Sequence, residues 1–365
     1  MNTTPSSTLH FTSTTTSDGI AERARRAVAG DGSGNGSADG STVAAIDAPG
    51  HGDRPRSDQQ VDASRRARGA GERALVFGGG GSAGNAWEIG VIAGLFDAGL
   101  DVTEADLIIG TSAGSTAAAQ ITSATQPAEL LAGILAAAPQ PRVGPVGSDR
   151  RPVPNRPAPD LLEKTSAIIT AAEDAADMRR RLGAAALETD AASGSSGQTQ
   201  RRATVAARLP SQHWPQRSLL IVAVDAHTGE PIVFDRHSGV DLADAVTAST
   251  AGPGAPPHRI GDNRYIDGGY RSPENADLAA GYARVLVLSP LGGRTRAPLD
   301  WGMHLAAQAG ELRAHGSRVE TILPDSDSRD AFGVNLMDPS ARPPAALAGY
   351  RQGRALAGPL TEFWR

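Results

Sequence analysis

Sustained hydrophobic patterning begins only after residue 71. Ala74-Leu75-Val76-Phe77 is an unbroken apolar run that stops at glycines, the pattern of a strand buried on both faces. Beyond Gly84, Trp87, Ile89, Val91, Ile92, Leu95 and Phe96 recur at helical spacing, and Gly99 suits the position just past a helix end. Leu107-Ile108-Ile109 predicts a second strand, and a small-residue helix follows from Ser112 to about Thr122. Strand, glycine turn, helix, strand, turn and helix is the βαβ rhythm. It predicts a three-layer α/β/α domain around a mainly parallel central sheet.

Farther along, residues 139–159 are rich in Pro, Arg and Gly and read as a long loop. Leu161, Leu162, Ile168, Ile169, Ala172, Ala176 and Leu182 then suggest one amphipathic helix, with Arg179, Arg180 and Arg181 near its last turns and a break at 193–197. The region at about 139–217 therefore reads as an insertion, either a cap over a site or a helix on the sheet's outer face. Residues 219–224 form a third apolar run, and His227-Thr228-Gly229-Glu230 turns it back into 231–234. A helix is expected at 241–250, halted by the Gly- and Pro-rich segment 252–257. Tyr265-Ile266 leads into Asp267, residues 285–288 predict another strand, and helical stretches at 300–315 and 345–364 finish the chain. There is no internal repeat.

Composition divides the chain. Residues 1–71 are dominated by Ser, Thr, Gly, Asp and Arg, too polar to offset the entropy of ordering, and are expected to form a disordered tail ahead of one domain at 72–365. A net charge of −5 argues against a nucleic-acid partner, and the basic run 65–68 falls in the tail, where it reads as solvated. The absence of cysteine excludes disulfides, thiolate metal sites and a cysteine nucleophile. No secretory signal pattern opens the chain, and no run reaches the ~18 apolar residues of a spanning helix. The expectation is a cytoplasmic protein, with peripheral membrane contact left open. His227, His237 and His258 lack metal-ligand spacing, so no metal and no cofactor are expected.

Three short motifs carry chemistry. Gly110-Thr111-Ser112-Ala113-Gly114 follows an apolar strand and precedes a helix. A serine there sits on a strained elbow with its hydroxyl lifted above the sheet, and the new helix aims its first amides at developing negative charge. Gly79, Gly80, Gly81, Ser82 and Gly84 form a loop of bare amides able to hold an oxyanion. Asp267, between Tyr265-Ile266 and Gly268-Gly269, could take the serine proton once burial raises its affinity for one. Each alone has a plainer reading: a glycine turn with an incidental serine, or an Asp-Gly hairpin turn.

Taken together, the glycine loop after the first strand, the serine elbow after the second and the downstream Asp-Gly-Gly resemble the patatin-like phospholipase family. The likeness extends to the helix around Trp87 to Leu95 and to the helix and proline segment at 241–257. It spans about residues 74–288, apart from the insertion. The resemblance implies a serine acyl hydrolase using a Ser–Asp dyad without histidine. Ser112 would be the nucleophile and Asp267 the base, with the loop of Gly79, Gly80, Gly81, Ser82 and Gly84 as oxyanion hole and a phospholipid or neutral-lipid ester as substrate. Ala83 stands where the family often has a basic residue, a departure that bears on rate and headgroup preference.

Two other readings remain open at this level. Ser112, Asp267 and then His304 or His315 follow the chain order of a histidine-dependent esterase. The glycine loop is also a literal dinucleotide fingerprint, with Asp101, Glu104 and Asp106 near the spacing of a ribose-binding acid, which would make the chain a non-catalytic binding module. Oligomeric state is not legible.

Overall fold

The run at 74–77 lies at the centre of an eight-stranded sheet. The computed structural model describes residues 63, 71–137, 159–193 and 196–365. In chain order the strands are β1 (Gly71–Phe77), β2 (Leu107–Thr111), β3 (Ser218–Asp225), β4 (Pro231–Phe234), β5 (His258–Ile260), β6 (Asn263–Asp267), β7 (Tyr282–Leu288) and β8 (Arg318–Ile322). Followed from one hydrogen-bonded neighbour to the next, the strands run β5-β6-β3-β2-β1-β7-β8, with β4 also paired to β3. Pairings among β3, β2, β1, β7 and β8 are parallel, whereas β4, β5 and β6 join antiparallel. The architecture is the expected three-layer α/β/α fold with a mainly parallel sheet.

Alternation along the strands explains the layers. Leu75, Phe77, Ile108, Leu219 and Ile221 pack into one core with α1 (Gly81–Asp97), α2 (Ala113–Ile121), α3 (Pro127–Ala136), α7 (Leu242–Ser249) and α10 (Arg342–Trp364). Ala74, Val76, Leu107, Ile109, Leu220 and Val222 point the other way, against α8 (Leu305–Ala314) and the short turn Ala276–Ala279. Val224 and Ile266 extend that second face beneath α4 (Pro159–Ala171) and α5 (Ala175–Ser193).

The insertion differs from its expected form. One helix is replaced by α4, α5 and a third, α6 (Ser196–Ala206). The break has a local cause: the Asp174 carboxylate accepts the Asp177 amide at 2.7 Å, and Asp177 accepts the Glu173 amide at 3.2 Å, a reciprocal cap that starts a new helix. Arg179, Arg180 and Arg181 consequently sit in the first turns of α5, not the last turns of a single helix. Met178 and Leu182 bury against Val224 and Ile266, so α5 takes the outer-face position. The loop expected at 139–159 lies outside the described residues apart from Pro159, which opens α4.

The tail expected at 1–71 also lies almost entirely outside the described residues. Ala63 is buried and donates its amide to Val233 O at 2.9 Å, and Gly71 already belongs to β1; both depart from a wholly disordered tail. Sequence patterning passes over α3, α6, β5, β8 and α9 (Ser326–Phe332), all short and several at the sheet's edges. The stretch expected as a helix at 300–315 is a single turn at Leu299–Trp301, then α8, because Gly302 takes a positive φ of 68° between them.

Candidate active site

Chain order places the site. From β1 the path crosses through α1 to β2 on one side, and later returns to β7 on the other side of β1. The crevice at the C-terminal end of β1 is thus a topological switch point, the position where open α/β sheets bind ligands. The glycine loop leaves β1 there.

Ser112 begins where β2 stops. It holds φ 52° and ψ −122°, a left-handed conformation that costs a non-glycine residue on the order of 1–3 kcal/mol and persists only when its surroundings enforce it. Those surroundings are visible. The Ser112 amide donates to Ser249 Oγ at 2.9 Å, and its carbonyl accepts from the Ser115 amide at 2.9 Å and the Ser115 hydroxyl at 2.6 Å. A Cβ at Gly114 would collide with the carbonyl oxygen of Phe77, and one at Gly110 with the Ser115 backbone, so only glycine lets helix and strand approach this closely.

The carboxylate arrives by sheet register. Thr111 pairs with Val222 of β3, and Asp267 pairs with the next residue, Ala223. Residues of β3 pair with β4 along the opposite edge, so β2 and β6 share one edge and meet head-on. Each chain must turn away at that junction. Ser112 starts the elbow after β2; Gly268 starts the turn after β6, where a Cβ would collide with Val222 O.

The two side chains touch as a result. Ser112 Oγ donates to Asp267 Oδ2 at 2.7 Å, while Asp267 Oδ1 accepts the Gly269 amide at 2.8 Å. The Asp267 amide is itself anchored on Ala251 O at 3.0 Å. Asp267 is 8% exposed. Burial pushes its pKa up to about 6, against the opposing pull of the hydrogen bonds from Gly269 and Ser112.

In the glycine loop the amides divide by role. The Gly79 amide is spent on Pro273 O at 2.8 Å and that of Gly84 on Gly80 O at 3.0 Å. These two residues shape the loop rather than offer donors, which corrects the expectation of a uniform row. The Gly80, Gly81 and Ser82 amides meet no acceptor among the described residues, and neither does that of Ala113 at the start of α2. A Cβ at Gly79 would approach Ser112 Cβ at 3.4 Å, so the loop passes directly beside the elbow.

The competing arrangements lack the contacts they require. His315 caps α8 and engages Glu311 O through Nδ1, and His304 opens the same helix; Asp267 meets Ser112 with no imidazole between them. Asp106 Oδ2 accepts the amides of Glu72 and Arg73 at the beginning of β1, the far end of the sheet from the glycine loop. Asp101 caps Thr103, and Glu104 pairs with Arg217. The acids that a dinucleotide site would need are spent elsewhere. Among the described residues no group of three His, Asp or Glu side chains could hold a metal, and no helix is long and apolar enough to cross a membrane.

Spacing did not single out Ser249, Pro273 or Asn275 as part of this constellation. Each acts through a contact with a segment remote in the chain, so no local pattern marks it.

No curated protein matches the chain. The sequence model of the patatin-like phospholipase family matches residues 75–280, which hold the end of β1, β2 through β6, the glycine loop, Ser112 and Asp267. That match covers more than half of the 365 residues, and the chain belongs to the patatin-like phospholipase family, a family of lipid acyl hydrolases.

Proposed function

We propose that this protein hydrolyses fatty acyl esters of phospholipids or neutral lipids through a Ser112–Asp267 dyad. The observation that carries the reading is the 2.7 Å hydrogen bond from Ser112 Oγ to Asp267 Oδ2 beside unpaired loop amides. Asp267 accepts the hydroxyl proton as Ser112 attacks the ester carbonyl. The Gly80, Gly81 and Ser82 amides receive the oxyanion, with the Ala113 amide adding the end of a helix dipole. Collapse expels the alcohol, which takes the proton back from Asp267. Water, deprotonated by the same carboxylate, then cleaves the acyl-enzyme and frees the fatty acid. The carboxylate needs no intermediary because it already lies 2.7 Å from the hydroxyl.

Contact with a lipid surface belongs to the same reading. Leu336 O accepts the Ala83 amide at 2.9 Å, and the neighbouring Val334 and Met337 are 97% and 57% exposed. Apolar side chains are thereby presented to solvent immediately beside the oxyanion loop.

Incubation of the wild type and Ser112→Ala with a short p-nitrophenyl ester, and with a fluorophosphonate probe followed by peptide mapping, tests the reading. Turnover and labelling at Ser112 in the wild type, with both abolished in a folded variant, are expected. Hydrolysis retained by Ser112→Ala would overturn it.

A further inference from the structure

Among the described residues only two that are not glycine hold a positive φ: Ser112 at 52° and Asn275 at 57°. One side chain connects them. Asn275 Nδ2 donates to Thr111 Oγ1 at 3.0 Å and lies within reach of Ser272 O at 2.8 Å and Gly268 O at 3.3 Å. Its Oδ1 accepts from Arg271 Nη1 at 2.6 Å, and the residue is fully buried. Thr111 immediately precedes the nucleophile; Gly268 immediately follows the base. The carboxamide therefore bridges the two chain segments whose separation decides whether Ser112 reaches Asp267.

The bridge continues on either side. Thr111 Oγ1 donates in turn to Glu274 O at 3.3 Å, and Pro273 O holds the Gly79 amide. Residues 273–275 thus touch the elbow, the Asp267 turn and the glycine loop. An asparagine tolerates the left-handed region better than most residues. Aspartate shares that tolerance but has no hydrogen to donate to Thr111 or Gly268.

We propose that Asn275 is a positioning residue for ester hydrolysis, its carboxamide fixing the distance between Ser112 Oγ and Asp267 Oδ2 by tying Thr111 to Gly268. This inference rests on the Ser–Asp reading of the site. Asn275 acts entirely through its two neighbours and touches no reacting atom. Releasing the tie lets the hydroxyl drift, and a displacement near 1 Å in such a constellation costs on the order of 100-fold in rate. It also removes the Ser112 hydrogen bond that holds the proton affinity of Asp267 down, so the acid limb of activity moves to higher pH. Tyr270, the titratable neighbour of that carboxylate, is left unchanged by the substitutions below.

Three variants test the proposal against the wild type and Ser112→Ala. Asn275→Asp keeps shape and the acceptor for Arg271, Asn275→Gly frees the backbone and deletes the side chain, and Thr111→Val removes the partner hydroxyl. On a soluble p-nitrophenyl ester each is expected to lose on the order of 100-fold in kcat with KM within about twofold, and the acid limb should rise. The Thr111→Val/Asn275→Gly double variant should lose no more than either single variant, because both break one bridge. A kcat near wild type in the folded Asn275 variants, or losses that simply add in the double variant, would overturn the proposal while Ser112→Ala remains inert. An inert wild type, or an active Ser112→Ala, would instead sink the underlying Ser–Asp reading.

Discussion

Ser112 and Asp267 are 155 positions apart in the chain, yet Thr111, which immediately precedes Ser112, and Asp267 occupy adjacent places along one edge of β3. The strand works as a ruler. It sets the hydroxyl and carboxylate by main-chain pairing, and both chains turn toward the same crevice because each runs out of sheet at the same point.

The pH dependence of such a dyad follows from the carboxylate. Burial raises Asp267 to about 6, and only its ionised form accepts the serine proton. The value of kcat/KM for a neutral ester should rise with pH through a single limb near 6 and be lost below it. A histidine-free limb also predicts that changing His304 and His315 to Ala leaves its midpoint in place; stopped-flow or steady-state assays between pH 4 and 9 read it out.

Ser249 is a second hold on the elbow. Ser249→Ala leaves the half-buried Ser112 amide without its acceptor, which costs about 0.5–1.5 kcal/mol. Urea denaturation should show that loss. Because the same bond enforces the strained φ of Ser112, kcat should fall on the order of tenfold for each 1.4 kcal/mol that the loss costs the reactive geometry. Unchanged stability together with unchanged kcat would remove Ser249 from the site.

Two buried carboxyls lie beneath the glycine loop. Glu88 on α1 is 0% exposed, and Glu274 Oε1 accepts from the Ser289 hydroxyl at 2.6 Å while Oε2 is unpaired. Burial pushes Glu274 up to about 7; burial, then the neighbouring Glu274 charge, drives Glu88 well above its ordinary value. The folded state therefore binds protons more tightly than the unfolded chain. Stability is fully present below the unfolded value of 4.5 and is lost as pH rises through about 7, on the order of 3 kcal/mol from Glu274 alone. Chemical denaturation at pH 5, 7 and 9 should show this decline, and Glu88→Gln should flatten it. A slope identical to wild type would count against the pair.

Val334 and Met337 flank the glycine loop with exposed apolar surface. Replacing both by Asp should lower the ratio of turnover on lipid vesicles to turnover on a soluble ester, by about tenfold if each lost anchor contributes about 1 kcal/mol or slightly less of binding. Vesicle co-sedimentation checks the same prediction directly, and an unaltered ratio would show that lipid is met elsewhere.

Much of this site was legible from local patterns. The glycine loop, the serine elbow and Asp-Gly-Gly are each a few residues long, and most of their glycines sit where a side chain would collide with neighbouring backbone or side chains. The sheet was legible wherever a strand is buried on both faces, as at 74–77, 107–109 and 219–224. The exposed edge strands β5 and β8 mix polar and apolar residues and left weaker traces. The insertion was misread as one helix because its apolar spacing runs across Asp174, whose reciprocal cap with Asp177 breaks it.

The chain's own order of residues determined which groups could act: a hydroxyl on an elbow, a carboxylate before two glycines, and a row of bare amides. Those are properties of backbone conformation over a handful of neighbouring positions, so they survive translation into a string of letters. Only the tertiary structure decided that Thr111 and Asp267 lie one register step apart on β3, which loop amides remain unspent, and that Asn275 joins the elbow to the Asp267 turn. Such choices depend on the meeting of segments far apart in the chain, where pairing geometry and burial, not local propensity, set every distance.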